Sequence, residues 1–187
     1  MQRAARCIAV PRAEYLERLL FVCPKCGALS SLRSEGETIA CSACGLSVRY
    51  GEDLLLSSDC ADFRFSTLKE WYDYQLDFVR DMHPQKEAPI YRDSGAILYD
   101  KTGEKRIRIA AGDCVLNSES LSVGDFSLPL EEIFSVSVVG GRKLVFHTRD
   151  RFFILTGDAR FNAIKYALTF NILPTNIKGE KYYGLHV

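Results

Sequence analysis

Cys23-Pro24-Lys25-Cys26-Gly27 and Cys41-Ser42-Ala43-Cys44-Gly45 are the stretches of this sequence whose residue types and spacing most clearly do chemistry. Two residues between the cysteines of each pair let the chain turn back, so that both sulfurs reach one point. Fourteen residues separate the pairs. Four thiolates around one ion form a closed tetrahedral set of the kind Zn²⁺ takes in structural sites. The glycine after each pair lets the backbone curl and aim N–H groups at sulfur. The expected ligands are therefore Cys23, Cys26, Cys41 and Cys44, holding one structural zinc per chain. A single iron in the same cage, or a redox C-x-x-C of thioredoxin type, are the alternatives. With every position filled by protein, such an ion stabilises a fold and activates no water. Four thiolates leave the cluster negative, a charge that Lys25 or Arg49 can offset.

Other residue types able to do chemistry are scattered. Cys7, Cys60 and Cys114 stand outside the pattern, and Cys114 falls in a strand, where packing is its expected role. His83, His147 and His186 have no second ligand type near them at metal spacing. Lys101, Arg106 and Arg108 on one hairpin form a candidate headgroup-binding set. Alternation accounts for the same residues, with Arg106 and Arg108 facing solvent and Ile107 and Ile109 facing a core. No G-x-S-x-G, P-loop or G-x-G-x-x-G is present.

The elements that position the cysteines read as follows. Residues 11–21 form a short helix with Leu16, Leu19 and Leu20 as its apolar stripe. Residues 29–34 and 38–41 form a hairpin around Glu35-Gly36-Glu37, and residues 46–50 a third strand. About thirty residues bury too little apolar surface to fold alone, so a cross-link is required there. Residues 51–65 are loop-like. Thr67-Leu68-Lys69-Glu70 has the form of a capping box and opens a helix with Trp71, Tyr72, Gln75, Phe78, Val79 and Met82 on one face, closed by Pro84. Trp71 and Tyr72 are expected to contact a neighbouring domain, and Tyr74 is a third aromatic there.

From about residue 88 the chain is β-rich, with strands expected at 96–99, 106–110, 113–117, 120–123, 126–129, 133–139, 143–147 and 152–155. A helix capped by Asp158 follows, with Phe161, Ile164 and Leu168 on one face, ended by Pro174. Short antiparallel strands sealed by one C-terminal helix describe a small barrel of PH-like or GRAM-like order. The expected class is α+β: an N-terminal four-cysteine zinc ribbon, a linker helix and a C-terminal PH/GRAM-like barrel capped by a helix. The corresponding units are 1–21 (stub and short helix), 22–50 (ribbon), 51–87 (linker and helix), 88–173 (PH-like region) and 174–187 (tail).

The charges bound the partners. The formal net charge is zero, which argues against nucleic acid held by counterion release. Residues 51–93, with ten Asp/Glu against five Lys/Arg, are the acidic part. Neither a secretory h-region nor a membrane-length apolar run is visible, so a reducing cytoplasm is expected. Cysteines paired as C-x-x-C in that compartment point to metal rather than disulfides.

The order EYLERLLFVCPKCG, CSACG, VRYG and STLKEWYDYQLDFVR, followed by the β-rich stretch, resembles the C-terminal extension of bacterial 1-acyl-sn-glycerol-3-phosphate acyltransferase-like proteins. The likeness runs from about residue 11 to 173. It is sharpest in the two cysteine pairs and in Glu70-Trp71-Tyr72-Asp73-Tyr74-Gln75. In that family an acyltransferase domain precedes a zinc ribbon, a Trp-Tyr-rich helix and a PH-like region. The family's catalytic signature, His-x4-Asp, is absent: Ala88 stands five residues after His83, and Phe152 five after His147. The resemblance thus implies a non-catalytic accessory module that places or regulates a lysophospholipid acyltransferase domain or subunit, cytoplasmic or peripheral to the inner face of the membrane. The Arg-rich N-terminal stub is expected to continue from a preceding domain. The alternative is a zinc-ribbon adaptor for another protein or nucleic acid.

Overall fold

In a computed structural model, residues 11–85 and 88–172 are described. The stub at 1–10 with Cys7, and the tail with Pro174 and His186, lie outside them. Among the described residues, two antiparallel sheets and two α-helices make up an α+β fold.

The smaller sheet consists of β1 (Leu32–Glu35), β2 (Thr38–Cys41), β3 (Ser47–Tyr50) and β4 (Leu56–Ser57), in that order. Glu35 pairs with Thr38, so the turn is Gly36-Glu37, and Gly36 takes the positive φ of 61° that a tight hairpin asks for. Strand β4 emerges from the stretch expected to be loop. It pairs Leu56 with Tyr50 and is anchored by the amide of Leu56 donating to Ser66. Alternation holds: Leu32, Ile39 and Val48 are buried while Arg33, Thr38 and Arg49 are exposed.

Residues 11–21 do not form the expected helix. They make a single 3-10 turn, Leu16–Arg18, entered through Tyr15 in the left-handed region (φ 66°). The cause is competition from the hairpin. Ala13 donates to the Gly36 carbonyl, the amide of Glu17 reaches the Ser34 hydroxyl, and Ser30 donates to Phe21. The Glu17 amide is thus spent across the chain rather than along a helix, and both ends of the segment are tied to the hairpin.

Helix α1 (Leu68–Arg80) starts as expected. The Thr67 hydroxyl accepts from the Glu70 amide and the Glu70 carboxylate accepts from the Thr67 amide. Its buried residues are Trp71, Gln75 and Val79. Gln75 accepts from the Phe21 amide (3.1 Å) and donates to the Leu19 carbonyl (2.9 Å), while the Trp71 indole donates to Val22 (2.9 Å). Thus α1 clamps the strand-like segment that leads into Cys23.

The larger sheet contains β5 (Tyr91–Asp100), β6 (Ile107–Leu116), β7 (Ser120–Val123), β8 (Phe126–Pro129), β9 (Ser135–Val139), β10 (Lys143–His147) and β11 (Phe152–Thr156). Its order is β8-β7-β6-β5-β11-β10-β9, so the first strand of the region sits in the middle. The two strands expected at 106–110 and 113–117 are one. Gly112 lies between them, and its backbone passes so close to Gly124 that a Cβ there would stand 3.0 Å from the Gly124 Cα.

Helix α2 (Ala163–Ile172) begins later than expected. Asp158 caps a turn by accepting from Arg160, and the Asn162 side chain, accepting from Lys165 at 2.9 Å, takes the cap position of the helix. Instead of one stripe, α2 buries Tyr166, Ala167, Thr169 and Phe170 as well as Leu168, and Ile164 is only half-buried. It is covered on more than one side because it packs against β9, β10, α1 and the Leu16–Arg18 turn.

One apolar cluster therefore joins Phe21, Val22 and Val79 to Tyr91, Leu98, Phe153, Tyr166 and Leu168. A second, holding Leu20, Ile39, Val48 and Trp71, surrounds Cys23 and Cys41. The core thus runs across residue 88 instead of closing within the β-rich region.

Candidate metal centre

The two cysteine pairs lie on matching turns. In each, the first cysteine's carbonyl accepts from the following glycine's amide: Gly27 to Cys23 at 2.9 Å, Gly45 to Cys41 at 3.0 Å. Both glycines have positive φ, 69° and 70°. The first cysteine of each pair also donates its own amide five residues on, Cys23 to Ala28 and Cys41 to Leu46. A side chain at Gly27 would press on the Phe78 ring of α1, so helix and turn are packed together.

The four sulfurs lie within 4.8 Å of one another. Cys23 Sγ is 3.6 Å from Cys44 Sγ, and Cys26 Sγ is 3.9 Å from Cys41 Sγ. A tetrahedron with metal–sulfur bonds of about 2.3 Å has edges of about 3.8 Å. The sulfurs therefore fit a single thiophilic ion. Among the described residues this is the one group of three or more Cys, His, Asp or Glu side chains so placed.

The electrostatics around the sulfurs differ. Burial resists ionisation of Cys41, but the Ser31 hydroxyl 3.2 Å away and the amides of Cys44 and Ala43 outweigh it and bring the thiol down to about 6. Cys23, more deeply buried, is pushed well up by desolvation despite the amides of Cys26 and Lys25. Hydrogen bonds to sulfur from Ser31 and the backbone are the kind of support that orients thiolate ligands around an ion. Ser31 carried no signal in the sequence, being an ordinary hydroxyl before a strand.

The remaining residues singled out by sequence do not converge. Lys101 donates to the Gly103 (3.1 Å) and Glu104 carbonyls of its own loop, and Arg106 stacks on Tyr99 at 4.0 Å. Asp100 is held down to about 2 by the hydroxyl and amide of Thr102 and by Arg151. Ile107 does not face the core as alternation implied: it is 62% exposed, because the β5–β6 pairing shifts register at Leu98/Tyr99. His83 donates its Nδ1–H to the Asp81 carbonyl at 2.8 Å, and His147 packs on Phe152. Cys114 is buried in β6, and burial pushes its thiol up to about 12. Trp71 and Tyr72 do join α1 to its neighbours, and Tyr74 packs on Phe65 and Phe78.

A polar cluster unseen in the sequence lies where α2 meets the N-terminal residues. Lys165, 2% exposed, has its ammonium 2.7 and 2.9 Å from the two Asp93 carboxylate oxygens and 2.9 Å from the Ser30 hydroxyl. The Tyr166 hydroxyl donates to Asp93 at 2.5 Å. Arg160 binds Glu14, Glu17 and the Ser34 carbonyl. Asn162 donates to the Glu17 carbonyl at 2.8 Å. Glu17, Ser30, Asp93, Arg160, Asn162 and Lys165 edge a cavity of about 160 Å³.

No helix among the described residues is long and apolar enough to cross a membrane. No protein-family model matches the chain, and no curated protein matches it.

Proposed function

We propose that the chain is a non-catalytic accessory module, a four-cysteine zinc ribbon joined to a PH-like barrel, that places or regulates a lysophospholipid (1-acylglycerol-3-phosphate) acyltransferase at the cytoplasmic face of a membrane. The observation that carries this reading is the closed four-sulfur cage. Cys23, Cys26, Cys41 and Cys44 would hold one zinc with no position left for water or substrate, so the ion supplies cross-linking energy and no Lewis-acid step. What the chain's own residues do there is orient sulfur: the glycine turns aim the pairs, Ser31 supports Cys41, and α1 braces the first turn through Trp71 and Gln75.

The PH-like part of the reading is supported by strand order. The region's first strand is central, its next three strands extend one flank, its last three the other, and a helix follows. Membrane contact is supported by the β5–β6 tip, where exposed Ile107 stands between Arg106 and Arg108. An apolar side chain flanked by cations suits the interface of an anionic bilayer. That tip presents a surface, whereas the headgroup pocket considered from Lys101, Arg106 and Arg108 would need Lys101 to leave its own loop.

The test is co-sedimentation with vesicles of phosphatidylcholine alone or mixed with phosphatidylglycerol. The chain is expected to pellet with the anionic vesicles, to be released by salt, and to lose several-fold in affinity on Ile107→Asp. The same protein is expected to show no acyl transfer to lysophosphatidate. Indifference to vesicle charge, or turnover above a contaminant-free background, would contradict the proposal.

A further inference from the structure

The larger sheet has two edges, and they differ in how they are guarded. β8 ends in Pro129, which has no N–H to offer a partner. β9 reads Ser135-Val136-Ser137-Val138-Val139, five residues without a charge or a proline. Natural sheets blunt such edges with Lys, Pro or a bulge, because an open ladder pairs with whatever strand arrives. Here Val136 and Val138 are only half-buried, and Phe134 and Val139 at its ends are 61% and 51% exposed.

The charges flanking β9 are segregated. Glu131 and Glu132 precede it, and Arg142 and Lys143 follow it across the Gly140-Gly141 turn. All four are exposed, and none has an ion-pair partner among the described residues. One end of the edge is acidic and the other basic.

We propose that β9 is an interface for a second copy of this chain, pairing antiparallel with β9 of that copy about a two-fold axis at Ser137. In that register Val136 stands opposite Val138 of the second copy, twice, extending the half-buried apolar face across the seam. Glu131 and Glu132 arrive at the Arg142 and Lys143 end of the second copy, and the reverse. Parallel pairing would set like charges together. The pairing is isologous and closes, so it yields a dimer rather than a fibre. Self-complementarity of both charge and apolar pattern selects a second copy as the occupant. Five residues of ladder make a small interface, so association is weak and concentration-dependent.

Sedimentation velocity of the full chain over a wide concentration range tests this. A monomer–dimer equilibrium is expected. Ser137→Lys sets two ammonium groups against each other at the axis and is expected to weaken association several-fold. Ser137→Glu does the same, and an equimolar mixture of the two restores it. Ser137 is exposed, so circular dichroism is expected to show both variants folded. Arg142→Glu is expected to weaken the dimer, and Glu132→Arg combined with it to recover it. A chain that stays monomeric at every concentration, including because other residues already cover the edge, overturns the proposal. So does a dimer indifferent to Ser137→Lys.

Discussion

Stripping the ion that the four cysteines could hold is expected to unfold the whole chain in one transition, not its N-terminal part alone. Residues 22–50 have two short hairpin strands, a third strand and little core, so their order rests on the cage. Structural zinc supplies about 10–16 kcal/mol in comparable peptide sites, more than the total stability of most small domains. The β-rich pattern alone implies a barrel that survives without metal. The contacts argue otherwise. Phe21 and Val22 sit in the same apolar cluster as Tyr91, Leu98 and Phe153, and Phe21 meets Tyr91 edge-on at 6.0 Å. Asn162, Arg160 and Lys165 at the start of α2 are bonded to Glu17, Ser34 and Ser30. When the cage opens, those partners leave and α2 loses one of its covering surfaces. Far-UV and near-UV circular dichroism during chelation should fall together. A biphasic loss, with most β signal retained, would show that the larger sheet and α2 are self-sufficient.

Asp93→Ala is expected to be the most damaging single change away from the cysteines. It would leave the Lys165 ammonium, 2% exposed, without its carboxylate, held by the Ser30 hydroxyl and the faces of Tyr91 and Tyr166, and would leave the Tyr166 hydroxyl with the weak sulfur partner Cys114. Breaking a buried pair from one side costs about 3–5 kcal/mol. Burial already lowers the Lys165 pKa from its ordinary value, with Asp93 opposing that shift. Lys165→Met removes the charge that needs a partner, and Asp93 is partly exposed, so this variant should lose less. Urea denaturation of both variants measures the asymmetry. Equal losses would mean that the pair acts through packing and not through charge.

What could be read in advance was local. The cysteine pairs, the Gly36 turn and the Thr67–Glu70 capping box each depend on residues within a few positions, and each appears where spacing puts it. Strands β7, β8 and β10 also match their expected limits, since turns with Gly124 and Gly140-Gly141 bound them. The rest depended on partners far away in the chain. Leu16, Leu19 and Leu20 have helical spacing, yet the Ser34 hydroxyl takes the Glu17 amide that a helix would use, and the Gly36 carbonyl ties Ala13 to the hairpin. Leu56 becomes a strand only because Tyr50 lies beside it. Lys165 and Asp93 are seventy-two residues apart, and no periodicity in either segment announces the other.

The central claim is that Cys23, Cys26, Cys41 and Cys44 hold one structural ion on which the fold depends. Elemental analysis of the purified full chain, paired with Cys26→Ser, tests it most directly. One zinc per chain is predicted, with the variant losing both the metal and the cooperative thermal transition. A folded wild-type chain without stoichiometric metal, or a variant of unchanged metal content and melting temperature, would contradict it.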